Sequence, residues 1–118
     1  MDYGFLQVEQ AGTYHEPVAE YLRRLDRSRR ARIDGRLLLL KAYDAGDPLP
    51  DPPFTATGTG GLQVLAIQLD VDEVHRIVFG ARGGRWLLVH AFRDRGAAAR
   101  RKEYGVAEGR WRRLGVVG

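Results

Sequence analysis

The chain reads as a single α+β domain. Three observations predict that class. Residues 62–95 hold three apolar runs of strand length, divided by short turn signals. Two helix-period patterns precede them, and one follows. The order is therefore strand, helix, helix, three strands, helix, with the helices segregated from one sheet.

The 62–95 segment organises the rest. Leu62-Gln63-Val64-Leu65-Ala66-Ile67-Gln68-Leu69, Val74-His75-Arg76-Ile77-Val78-Phe79 and Trp86-Leu87-Leu88-Val89-His90-Ala91-Phe92 are rich in β-branched and aromatic residues. An acidic turn and a Gly-Gly turn separate them, so they form an antiparallel meander. Alternation in residues 4–10, with Phe5, Gln7 and Glu9 against Leu6 and Val8, predicts one further strand. Ala11 to Tyr14 turn the chain, and Thr13 or His15 then caps a helix with Pro17 in its first turn, where a missing N–H costs nothing. Val18, Leu22 and Leu25 give that helix its apolar face. A second helix starts after Ser28, with Ile33, Leu37 and Leu40 at i, i+4, i+7. The two form an αα-hairpin. Gly35 weakens the second helix by roughly 1 kcal/mol against alanine and points to close approach of the first. Residues 46–61, rich in Pro, Gly, Asp and Thr, read as a long loop. After Gly96, Tyr104, Ala107, Trp111 and Leu114 mark the packed face of a last helix.

Composition narrows the function. With 118 residues, 44% hydrophobic and 29% charged, the chain builds one modest core. Without cysteine it has neither disulfides nor thiolate metal sites, and His15, His75 and His90 lack a zinc spacing. No apolar run reaches the roughly 20 residues of a membrane span, and Met1 to Phe5 lack the basic start of a signal peptide, so a cytoplasmic location without membrane attachment is expected. The net charge is +4. From Arg76 onward eleven basic residues face only three acids, Asp94, Glu103 and Glu108. Such a field favours a polyanionic partner, although a solvated arginine surface has the same composition.

Four stretches carry a family resemblance. Phe5 to Leu25 combines an aromatic strand, a Gly turn and Pro17-Val18-Ala19-Glu20-Tyr21-Leu22. Arg29 to Pro50 is a Leu-rich helix that leaves through Gly46-Asp47-Pro48-Leu49-Pro50. The other two are His75-Arg76-Ile77-Val78-Phe79 and Leu87-Leu88-Val89-His90-Ala91-Phe92-Arg93-Asp94-Arg95. In order and spacing the chain resembles the RelE/ParE superfamily of bacterial toxins, in its HigB-like, phage-derived branch. The departures are specific. Where the family reads Leu-x-Glu-Leu-Arg, this chain has Leu62-Gln63-Val64-Leu65-Ala66, so Val64 and Ala66 replace the acid and the arginine. The loop from Phe54 to Gly61 carries no lysine, and Asp94-Arg95 stands for the family's Lys-Lys.

The resemblance implies a RelE-like fold over residues 1–118 and the toxin of a type II toxin–antitoxin system. The implied activity is metal-independent endonucleolytic cleavage of mRNA on the ribosome, with no cofactor. The implied partners are mRNA, the ribosome and an antitoxin of helix-turn-helix type. In that reaction the RNA 2′-OH attacks the adjacent phosphate, so fixed cations and proton-transfer groups are needed. Arg76 matches the strand arginine and is expected to face an open cationic concavity as phosphate ligand. An ion pair to Asp70, Asp72 or Glu73 is its structural alternative. Arg95 matches the second basic residue of the pair. His90 is an acid–base candidate, but Trp86, Leu88 and Phe92 share its face by strand alternation, which also describes a core histidine. Tyr104 is a proton-transfer or base-stacking candidate whose spacing with Ala107 and Trp111 equally describes packing. Arg93, Arg82, Arg85, Arg100 and Arg101 complete the expected RNA contacts. Loss of the family acid and arginine keeps two other readings open: a non-catalytic binder of RNA or antitoxin, and a ParE-like gyrase inhibitor.

Overall fold

The structure, a computed structural model, describes residues 3–58 and 60–117, the side chains of 114–117 excepted. A five-stranded mixed sheet divides the molecule. Its strands are β1 (Tyr3–Phe5), β4 (Phe54–Ala56), β5 (Gln63–Asp70), β6 (Glu73–Arg82) and β7 (Arg85–Arg93), in spatial order β1-β7-β6-β5-β4. The meander β5-β6-β7 is antiparallel, and β1 lies parallel on β7. Helices α1 (Pro17–Arg23) and α2 (Arg27–Leu37) cover one face, and α3 (Ala97–Val117) covers part of the other.

Alternation along the meander sorts the two cores. Leu65, Ile67, Ile77, Phe79, Trp86 and Leu88 pack under Val18, Leu22, Ile33 and Leu37 of the helical hairpin. Val64, Val78, Val89 and Phe92 pack under Ala107 and Trp111 of α3. Gly80 lies beneath the Trp111 ring, where an added Cβ would come within 2.7 Å of indole carbon. The expected contribution of Leu114 to this face lies outside the described residues.

The strand expected over residues 4–10 is broken. After Phe5 the chain leaves the sheet, and β2 (Val8–Gln10) pairs with β3 (Thr13–His15) as a separate hairpin. Ala11 and Gly12 both take positive φ, 53° and 80°, the left-handed pair that a two-residue hairpin turn requires. Thr13 and His15 therefore belong to a strand, and Glu16 stands at the α1 N-cap without a side-chain capping bond. Two more differences concern the second helix. Its α-helical part ends at Leu37, and a 3-10 turn over Leu38–Ala42 places Leu40 in the core. At Gly35 an added Cβ meets nothing within 4 Å, so that glycine does not mediate helix approach. The long loop also contains β4, held by Phe54, which packs edge-on to Phe79 (centroids 5.8 Å) and Tyr43 (6.0 Å).

Candidate functional site: a cleft at the open edge of β7

The edge of β7 is only half paired. β1 accompanies it through Leu88, and the Leu6 N–H closes the ladder on the Leu88 carbonyl. Beyond that point the chain swings away into the β2-β3 hairpin. Val89 is then an extra residue in β7: Val78 pairs with His90, but Phe79 pairs with Leu88. This bulge reverses the alternation. Trp86 and Leu88 stay with the helical hairpin, whereas His90 and Phe92 turn to the α3 side, stacked at 5.7 Å. A strict period of two had placed all four on one face.

A cleft of about 370 Å³ opens at this edge. Its walls come from the β2-β3 hairpin, from α1 through Glu20, Tyr21 and Arg24, from β7 through His90, and from α3 through Arg110. Two carboxylate–imidazole pairs connect to it from opposite faces of the sheet, one through His90 itself and one through Tyr21.

The first pair belongs to the α3 face. His90 Nε2 lies 2.9 Å from Glu103 Oε1, and Arg110 Nη1 lies 2.6 Å from His90 Nδ1. A guanidinium only donates, so Nδ1 is the acceptor and Nε2 carries the hydrogen given to Glu103. Burial lowers the His90 pKa, Glu103 opposes this and Arg110 adds to it, which holds the imidazole neutral. The Arg110 pKa is itself lowered by burial and by the charge of Arg113.

The second pair belongs to the hairpin face and was not foreseen. Tyr21 Oη lies 2.6 Å from His75 Nδ1, and His75 Nε2 lies 2.7 Å from Glu73 Oε2. Arg29 of α2 grips the same carboxylate with Nε at 2.7 Å and Nη2 at 3.0 Å. The Arg29 and His75 hydrogen bonds bring the Glu73 pKa down to about 2. An ionised carboxylate only accepts, so His75 Nε2 donates; in the neutral imidazole Nδ1 is then the acceptor and takes the Tyr21 hydroxyl hydrogen. Burial pushes the Tyr21 pKa up to about 12, with Arg93 and Arg95 acting in the opposite direction. His75 and Glu73 are 2% and 5% exposed. Sequence spacing hid this chain, because Tyr21 and His75 are 54 residues apart. The signal available was a charged Glu-x-His in a strand otherwise apolar on that face.

The remaining site candidates are placed as follows. Arg76 donates from Nε to Asp94 Oδ2 at 2.7 Å, and Arg100 donates to the same oxygen at 2.9 Å. Burial opposes ionisation of Asp94, but the Gly96 N–H and the two guanidiniums outweigh it and bring its pKa to about 2. The partner of Arg76 is thus Asp94, not Asp70, Asp72 or Glu73. Its side chain is 19% exposed and borders a shallow groove floored by Thr55, Ala66, Gln68 and Val74. Val64, at the family's acid position, is fully buried under α3, and Ala66 pairs across from Arg76 in the groove floor. Arg93 lies across from His75 on the face of Tyr21. Arg95 and Arg101 are exposed and make no ion pair among the described residues. Tyr104 packs edge-on to Phe92 at 5.8 Å in the α3 core. Arg82 lies 4.1 Å from the Trp111 ring centroid, and Arg85 packs over Gly4. These last two arginines occupy the far end of β6 and β7, away from Arg76, Arg93 and Arg95.

Among the described residues no three His, Asp or Glu side chains are grouped to hold a metal ion. Among the described residues no helix is long and apolar enough to cross a membrane. No family model, curated protein or solved structure matches the chain.

Proposed function

We propose that the chain is a RelE-like toxin of a type II toxin–antitoxin system, cleaving mRNA without a metal at the β7 cleft. The observation that carries this reading is Arg110: a guanidinium on the wall of an open cleft, fixed by a neutral imidazole rather than by a carboxylate. A cation whose neighbour is neutral keeps its charge available to a phosphate, and its planar fork suits two phosphate oxygens. Arg93 and Arg95 add positive potential on the Tyr21 side. His90 then acts as a positioning residue, with Glu103 setting its tautomer as outer-shell carboxylates do for ligating histidines. Arg76, tied to Asp94, braces the strand and the start of α3, leaving its remaining guanidinium edge to the neighbouring groove. Cytoplasmic location, ribosome dependence and an antitoxin covering the basic edge belong to the same proposal.

The test is induced expression followed by mapping of mRNA 5′ ends. New internal ends with wild type, and about 100-fold fewer with Arg110→Gln, are expected. Unimpaired growth at high levels of soluble wild-type protein counts against the toxin reading.

A second reading is favoured by one contact. The strand arginine that the resemblance assigns to the phosphate is engaged by Asp94, as is Arg100. A protein that binds RNA or antitoxin without cleaving would show salt-sensitive binding and no new mRNA ends.

A further inference from the structure

The Glu73–His75–Tyr21 chain runs from the buried side of the helical hairpin to Tyr21, a residue of the cleft wall. Every donor along it is committed in one direction. Arg29 and His75 Nε2 donate to Glu73, and the Tyr21 O–H donates to His75 Nδ1. With its O–H so committed, the Tyr21 oxygen has only acceptor capacity left. Apolar packing alone does not require such a chain. Ile77 and Phe79 continue the same strand face with no polar group, and each buried polar atom adds desolvation cost. The partner guanidinium Arg110 faces the same cleft from the opposite side of the sheet.

We infer that Tyr21, backed by His75 and Glu73, is the proton acceptor for a ribose 2′-hydroxyl in the β7 cleft. This inference rests on the RNA-cleavage reading above and names the group that removes the proton. The 2′-oxygen gives its proton to Tyr21 Oη as Tyr21 passes its own to His75 Nδ1. The imidazolium so formed lies against the ionised Glu73 carboxylate, which stabilises it. The electron pair left on the 2′-oxygen forms the new bond to phosphorus, and the pair of the phosphorus–5′-oxygen bond departs with that oxygen. Cleft water protonates the leaving oxygen, with Arg110 facing its charge. The products are a 2′,3′-cyclic phosphate and a 5′-hydroxyl end. The hydroxide left by that water takes the proton returned from His75 through Tyr21, which resets the chain. The basicity is that of His75, and Tyr21 is a neutral phenol before and after the transfer, so no free tyrosinate has to form. Tyr21 is the catalytic residue here; His75 and Glu73 are positioning residues.

The experiment uses purified ribosomes programmed with a synthetic mRNA, and the same mRNA carrying a single 2′-deoxy nucleotide at the scissile site once end mapping has located it. Tyr21→Phe removes only the hydroxyl. The expected result is a fall in kcat of roughly 100-fold, the size of a general-base contribution, with KM and affinity for the 2′-deoxy mRNA complex within twofold of wild type. His75→Gln is expected to lower kcat at least tenfold with the same unchanged affinity, which a merely structural role would not spare. Cleavage by Tyr21→Phe at the wild-type rate overturns the relay and leaves the cleft reading intact. Loss of 2′-deoxy mRNA affinity in proportion to kcat also overturns it, since the residue then only shapes the cleft. A wild-type protein that binds programmed ribosomes without cutting overturns the cleavage reading, and the relay falls with it.

Discussion

The two carboxylate–imidazole pairs share one arrangement and differ in their surroundings. In each, Nε2–H points to a glutamate and Nδ1 receives a hydrogen from a cleft residue. Glu73–His75 lies under the helical hairpin, with Arg29 closing its far side and His75 2% exposed. Glu103–His90 lies at a strand edge, with His90 9% exposed and Glu103 on the surface helix. The difference teaches what each pair can tolerate. The buried one has little water to replace a lost partner, so each partner lost there costs more stability. The edge pair can exchange partners with solvent or with a ligand.

Three measurements break or sharpen that contrast, and the largest effect comes from deleting the rings. His75→Ala strands Tyr21 and Glu73 together and is expected to cost about 3 kcal/mol in urea unfolding, against about 1 kcal/mol for His90→Ala. Equal losses would mean that burial does not separate the pairs.

Acid should separate them next. The His90 pKa is lowered on folding, so the unfolded chain binds the extra proton first. Its contribution is intact above about pH 6.5, the ordinary histidine value, and declines as the pH falls below it. Glu73 is depressed from 4.5 to about 2, so its contribution is intact above pH 4.5 and is lost as the pH falls from there toward 2. His90→Gln is therefore expected to flatten the mild-acid slope of stability and leave the strong-acid slope unchanged. Glu73→Gln should do the reverse. Chemical denaturation at a series of pH values reads both slopes.

The smallest effect is a control for helix stability alone. Gly35→Ala in α2 places a methyl in open space and is expected to stabilise the fold by roughly 0.5–1 kcal/mol. The pH slopes of both pairs should not move with it, because α2 meets the buried pair through Arg29 and not through Gly35.

Much of the fold was legible because periodicity reports burial. The meander, the packed faces of α1 and α3, and the α+β class all follow from runs long enough to show a period. What failed was short or irregular. β4 has three residues between Pro52-Pro53 and a Gly-rich turn, too few to show alternation. The turn at Ala11-Gly12 was legible, but the three-residue return strand Thr13–His15 was too short to show alternation and read as a helix cap instead. The site was less legible for a related reason. The Val89 bulge moved His90 to the other face, and no local pattern announces an inserted residue. Arg76 was singled out by strand position, yet its environment is set by Asp94, eighteen residues on. The Tyr21–His75 contact joins a helix to a strand that pairing brings near only in three dimensions.

The parallel seating of β1 on β7 has a consequence for biosynthesis. Tyr3–Phe5 can settle only against Trp86–Leu88, which leave the ribosome more than eighty residues later. The cleft likewise needs Tyr21 from the first fifth of the chain and Arg110 from the last. Contacts this distant in sequence form late. A growing chain therefore carries Tyr21 through nearly ninety further residues of synthesis before Arg110 exists to close the concavity with it.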